Sequence, residues 1–240
     1  MRIVKAVAVS GFGLAALFTG VMGFAHTHAG RPLLVAMRPL MSLMAGGSAK
    51  CPFGYDQRAT PEQKEAARAS FSEAHHGDEV AAGRPALGFA LDTTTPADVM
   101  VWAKAHDVDC KEKAGGLTQS DIECRSVPDS VLPEAARGAL VSSLWLTFGG
   151  HNTLTKVVAV RKDKSAEAIS RAFGAVSRDV AQEAGPATST EGNGTVAELT
   201  SGRLVQSSAE YRFSNYYVLT RAANVGSAFV MTEEYRSLAD

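Results

Sequence analysis

The chain has 240 residues, a formal charge of −1, 45% hydrophobic residues and 20% charged ones, the balance of an ordinary folded protein. No block of Lys or Arg stands out, and a face that must neutralise phosphates needs one, so a nucleic-acid partner is excluded. Basic residues are scattered. The densest group, Arg161-Lys162-Asp163-Lys164, reads as a solvated strand-to-helix turn.

Arg2 and Lys5 precede an uncharged, largely apolar run from Ala6 to Ala25. A helix of that length spans about 30 Å, the thickness of a bilayer's hydrocarbon core. The expectation is a membrane anchor or signal segment over 1–29. Length favours retention of the anchor. Gly11, Gly13, Gly20 and Gly23 dilute the run, and Thr27-His28-Ala29 offers small residues ahead of Gly30, so secretion after signal cleavage is the alternative. The N-terminal cations set the rest of the chain facing the periplasm or the exterior.

Residues 30–59 form a juxtamembrane apolar segment and linker. Pro32 and Pro39 interrupt it, and Met37, Met41 and Met44 recur at helical spacing, read as adaptable packing rather than a soft-metal site. Cys51 sits here, before Pro52. Three roles stay open for it: an unreactive thiol, pairing between chains, or a thiolate ligand to haem or a metal. Apart from that option no cofactor and no metal ligand set is expected.

An α+β domain is expected over 60–240. Thr60-Pro61-Glu62-Gln63 opens a weakly amphipathic, peripheral helix to about His75. His75-His76-Gly77-Asp78-Glu79 reads as a solvated helix end. Leu87–Leu91 is expected as a strand. Thr95-Pro96-Ala97-Asp98 opens a second helix to about His106. Ile122–Val127, Leu140–Phe148 and Leu154–Arg161 are expected strands, with a hairpin turn at Gly149-Gly150-His151-Asn152. Ser165 caps a third helix to about Ala184, with Ile169, Ala172, Phe173, Val176 and Val180 in one apolar stripe. Strands are expected at Val196–Leu199, Arg203–Phe213, Tyr216–Ala222 and Ser227–Tyr235. The pattern is an antiparallel-sheet domain of two α-β-β-β halves, 95–161 and 165–235.

Cys110 and Cys124 flank a polar loop. In an exported chain such a pair is a disulfide, closing a loop of about 15 residues at a gain of about 3 kcal/mol. Tyr211, Arg212 and Tyr217 are expected to hold a protein partner, because Tyr and Arg anchor interfaces. No nucleophile elbow, zinc-protease motif or phosphate loop occurs, so no catalytic residue is assigned; His106, His151, Ser143, Asp107, Asp109 and the free Cys51 are the scattered candidates. The reading is a membrane-anchored extracytoplasmic binding or assembly module. The alternatives are a haem- or metal-binding envelope protein using Cys51 and an enzyme whose site no motif reveals.

Overall fold

A computed structural model describes residues 60–113, 121–134 and 139–238, all within the unit Tyr55–Asp240. The expected anchor over 1–29, the segment 30–59 and Cys51 lie outside the described residues. Among the described residues no helix is long and apolar enough to cross a membrane.

Among the described residues four α-helices and eight strands follow in order: α1 (Pro61–His75), α2 (Pro96–Ala105), β1 (Asp109–Glu112), β2 (Ile122–Val127), β3 (Val141–Phe148), β4 (Leu154–Asp163), α3 (Ala166–Glu183), β5 (Ser189–Glu191), α4 (Val196–Thr200), β6 (Gln206–Arg212), β7 (Tyr216–Asn224) and β8 (Phe229–Ser237). The fold is α+β. All eight strands form one antiparallel sheet in the order β1-β2-β3-β4-β8-β7-β6-β5. Each run of four strands follows a helix, and the two runs meet at their last strands, with β4 paired to β8 from Lys156↔Arg236 to Asp163↔Phe229.

Three expectations need correction. Leu87–Leu91 is a turn, because Leu87 (φ 59°) and Gly88 (φ 88°) are both left-handed and an extended strand cannot pass through them. Val196–Leu199 is a helix. The Thr195 hydroxyl accepts from the Glu198 N–H at 3.3 Å, and the Glu198 carboxylate accepts from the N–H groups of Asn193 and Gly194. Each half holds four strands rather than three, because the two sheet edges, β1 and β5, are short, exposed and polar and carry no alternation.

The caps read from sequence form. Thr60 and Gln63 close a reciprocal capping box on α1, as Thr95 and Asp98 do on α2. The stripe of α3 is buried from Ala166 to Val180 and packs on β4, β7 and β8. Burying a side chain such as Ile169 or Phe173 contributes about 1.5–3 kcal/mol. That inner sheet face presents Val157, Ala159, Val218, Ala222 and Met231, all buried. At one edge Cys110 and Cys124 are direct cross-strand partners on β1 and β2, with Cα atoms 3.9 Å apart and sulfurs at the disulfide distance of 1.97 Å.

Candidate functional site

Strand residues alternate between faces, so the positions between the core residues form the sheet's outer face. The register sets these positions in rows. The first runs Thr147, Lys156, Arg236, Tyr217, Arg212 across β3, β4, β8, β7 and β6. The second runs Glu123, Trp145, Val158, Glu234, Leu219, Glu210, starting on β2. The third runs Arg125, Ser143, Val160, Thr232, Arg221, Ser208, and Lys162, Val230, Ala223 and Gln206 complete the face.

Helix α1 packs along the first row. None of its residues is buried, so it is held by polar and aromatic contacts rather than a hydrophobic seam. Lys64 Nζ lies 2.7 Å from Asp121, whose second oxygen accepts from the Phe148 N–H at 2.7 Å. Arg68 Nη2 donates to Asp92 and to Ser237 Oγ, each at 2.9 Å. The Arg236 guanidinium lies 3.7 Å from the centre of the Phe71 ring, and Phe71 and His75 both meet the Tyr217 ring edge-on at 5.2 Å.

The sequence-predicted partner residues fall into two places. Tyr211 is 2% exposed on the inner face and donates its hydroxyl to the Ser177 carbonyl at 2.8 Å. Tyr217 is 3% exposed, roofed by α1 on the outer face. Alternation would expose one ring of such a pair only if one face were bare, and here a helix covers each. Tyr217 and Arg212 do converge, both donating to Glu210 at 3.0–3.1 Å. Burial pushes the Glu210 carboxyl up, and the bonds from Arg212 and Tyr217 more than offset it, so the group stays below its usual range. Burial and the Glu210 charge push the Tyr217 phenol well up.

The catalytic candidates are dispersed. His106 ends α2 against Trp102, His151 is exposed in the β3–β4 turn, Ser143 stands on the outer face, and Asp109 pairs with exposed Lys111 at 3.3 Å. Asp107 takes a left-handed turn conformation after α2. Among the described residues no three His, Cys, Asp or Glu side chains are grouped to hold a metal ion.

Two features escape sequence reading. The first is the part of the outer face beyond α1. Trp145 is 39% exposed there, and Val158, Val160, Leu219, Val230 and Ala223 are only half-buried. Glu123, Arg125, Lys162, Glu210 and Arg221 surround them, and Glu234, paired with Arg236, stands between Val158 and Leu219, so apolar and charged groups are mixed across this face. The second is a cavity of about 80 Å3 beneath α1, lined by Lys64, Arg68, Phe71, Thr147, Lys156 and Arg236 among others. Arg68 Nε and Thr147 Oγ1 are buried with no hydrogen-bond partner among the described residues. Leaving such groups unsatisfied costs about 1–3 kcal/mol each, more when charged. Burial and the nearby Arg236 push the Lys156 amine down, against the pull of Glu234 and Asp121.

Comparison with known proteins finds no matching family, no matching curated protein and no matching solved structure.

Proposed function

We propose that this chain is a membrane-anchored extracytoplasmic binding or assembly module that presents the outer face of its sheet to a protein partner. The observation that carries the reading is the partly exposed set of Trp145, Val158, Val160, Leu219 and Val230, interleaved with charged side chains that include Glu234. The Cys110–Cys124 pair at disulfide distance supports an oxidising compartment, which agrees with an export signal at the N-terminus. Retention by the N-terminal run supports a role at the membrane; cleavage there would leave the same surface on a secreted protein.

Trp145→Lys and Leu219→Lys test the reading, since each places a cation beside the cross-strand carboxylates Glu123, Glu210 and Glu234. Both side chains stand on the outer face, so each variant is expected to melt within a few degrees of wild type and to lose the partner recovered by cross-linking in native membranes. A partner retained at full yield by both variants sinks the proposal.

The enzyme alternative has one observation in its favour. A cleft of about 350 Å3 opens between residues 84–90 and α3, lined by Arg84, Phe89, Asp179, Glu183 and Tyr235. Burial pushes the Asp179 carboxyl up, as sites of proton transfer require. Titration of Asp179 by NMR at an ordinary carboxylate value would remove that support. The haem or metal alternative rests on Cys51 and is tested by the visible spectrum and metal content of the purified protein: a colourless, metal-free sample removes it.

A further inference from the structure

The cavity beneath α1 has a charge pattern that its own residues do not complete. Five cations stand in or beside it: Lys64, Arg68, Arg84, Lys156 and Arg236. Four of them have carboxylate partners. Lys64 pairs with Asp121, Arg68 and Arg84 share Asp92, Glu65 lies 3.9 Å from Arg68, and Arg236 pairs with Glu234. Lys156 alone has no ion pair or hydrogen bond among the described residues, although Glu234 and Asp121 act on it from a distance. It lines the same cavity as two donors without acceptors, the Nε–H of Arg68 and the hydroxyl of Thr147.

We propose that this cavity binds one small phosphate-type oxyanion, held by the Lys156 ammonium, the Arg68 Nε–H and the Thr147 hydroxyl. Each element supplies one group: α1 gives Arg68 from above, β3 gives Thr147 and β4 gives Lys156 from the sheet. Ordered water would satisfy Arg68 and Thr147 and leave the excess positive charge uncompensated. An oxyanion satisfies all three groups and cancels the charge in one step, through charge-assisted hydrogen bonds. A cavity of about 80 Å3 has room for one such group. The carboxylates around the cavity are already engaged by other cations and leave Lys156 unmatched. The inference is independent of the partner face, which lies in the neighbouring rows of the sheet.

Calorimetric titration of inorganic phosphate into the full-length protein at low ionic strength tests it, with chloride as the background anion. The expected result is saturable binding, at least tenfold weaker in Lys156→Met, several-fold weaker in Thr147→Val and unchanged in the exposed control Lys164→Met. Acetate binds more weakly, since it carries a single charge on a planar group where phosphate carries more charge on tetrahedrally disposed oxygens. Lys156→Met removes a charge from a partly dry site and is expected to melt no lower than wild type, which separates a lost site from a lost fold; Thr147→Val serves if it does not. Absence of saturable binding by phosphate and sulfate overturns the proposal, as does binding that Lys156→Met and Thr147→Val leave intact. Tighter binding of acetate overturns the ligand class. Capture of phosphatidylglycerol vesicles without binding of free phosphate assigns the cations to a lipid surface and overturns the small-ion site.

Discussion

Arg161 on β4 and Glu233 on β8, both without solvent exposure, form an ion pair across the one strand pairing that joins the two halves of the sheet. Arg161 Nη1 also donates to the Ala139 carbonyl at 2.5 Å, and the Tyr235 hydroxyl donates to the second Glu233 oxygen at 2.7 Å. A charge removed from one side of such a pair takes a close partner from a buried group. Glu233→Ala is therefore expected to lose about 3–5 kcal/mol in urea unfolding, and the double variant Arg161→Met, Glu233→Leu to lose markedly less. Equal losses in the two would show that the pair does not act as a unit.

The Cys110–Cys124 bridge ties the edge strand β1, which has only one neighbour, to β2. Replacing both cysteines by Ala is expected to cost about 3 kcal/mol, within a range of 0–5 for bridges of this kind. The check is the urea midpoint with and without reductant: wild type shifts and the double variant does not. A wild-type midpoint indifferent to reductant contradicts the bridge.

Tyr217 is the floor on which α1 rests, so two substitutions there separate ring from hydroxyl. Tyr217→Phe keeps contact with Phe71 and His75 and loses only the bond to Glu210, at an expected cost of about 1–3 kcal/mol for a bond to a charged group. Tyr217→Ala removes the floor, and limited proteolysis is expected to cut within 60–75 while the sheet stays intact. Equal protection of α1 in wild type and Tyr217→Ala would deny the ring that role.

Lys156 gives a pH-dependent stability with a defined sign. Its amine is held below the usual lysine range, chiefly by burial, so the unfolded chain binds the proton more tightly than the folded one. Stability then rises with pH between the depressed folded value and the ordinary one, as the buried charge is released. In phosphate-free buffer Lys156→Met is expected to be the more stable at neutral pH, with the gap narrowing as pH approaches 10. A gap that stays constant over that range would place Lys156 in water.

Much of the inner layer is legible in the sequence, because its signals are local and periodic. The α3 stripe recurs at helical spacing, and both Thr-Pro openings form their capping boxes. Asn224 and Gly226 turn the last hairpin, with the Gly226 N–H donating to the Asn224 side chain at 2.8 Å. The edge strands escape because polar residues such as Asp109 or Thr190 carry no alternation. The α4 helix escapes although Thr195-Val196-Ala197-Glu198 is a capping signature, because Val-Ala-Glu-Leu also reads as a short strand. The site was least legible. Tyr211 and Tyr217 look like surface anchors until α3 and α1 are placed over them. Thr147, Lys156 and Arg68 meet only through the strand register and the course of α1, and neither is written in local spacing.

The central claim is that the outer sheet face meets a protein partner, and photo-cross-linking in the native membrane tests it most directly. A photoreactive residue is placed in turn at Trp145, Val160 and Leu219 on that face and at Arg171 and Gln182 on the solvent side of α3. The account predicts one adduct of the same added mass from the three sheet positions and none from the helix positions. Adducts from α3 alone, or equally from both sides, would contradict it.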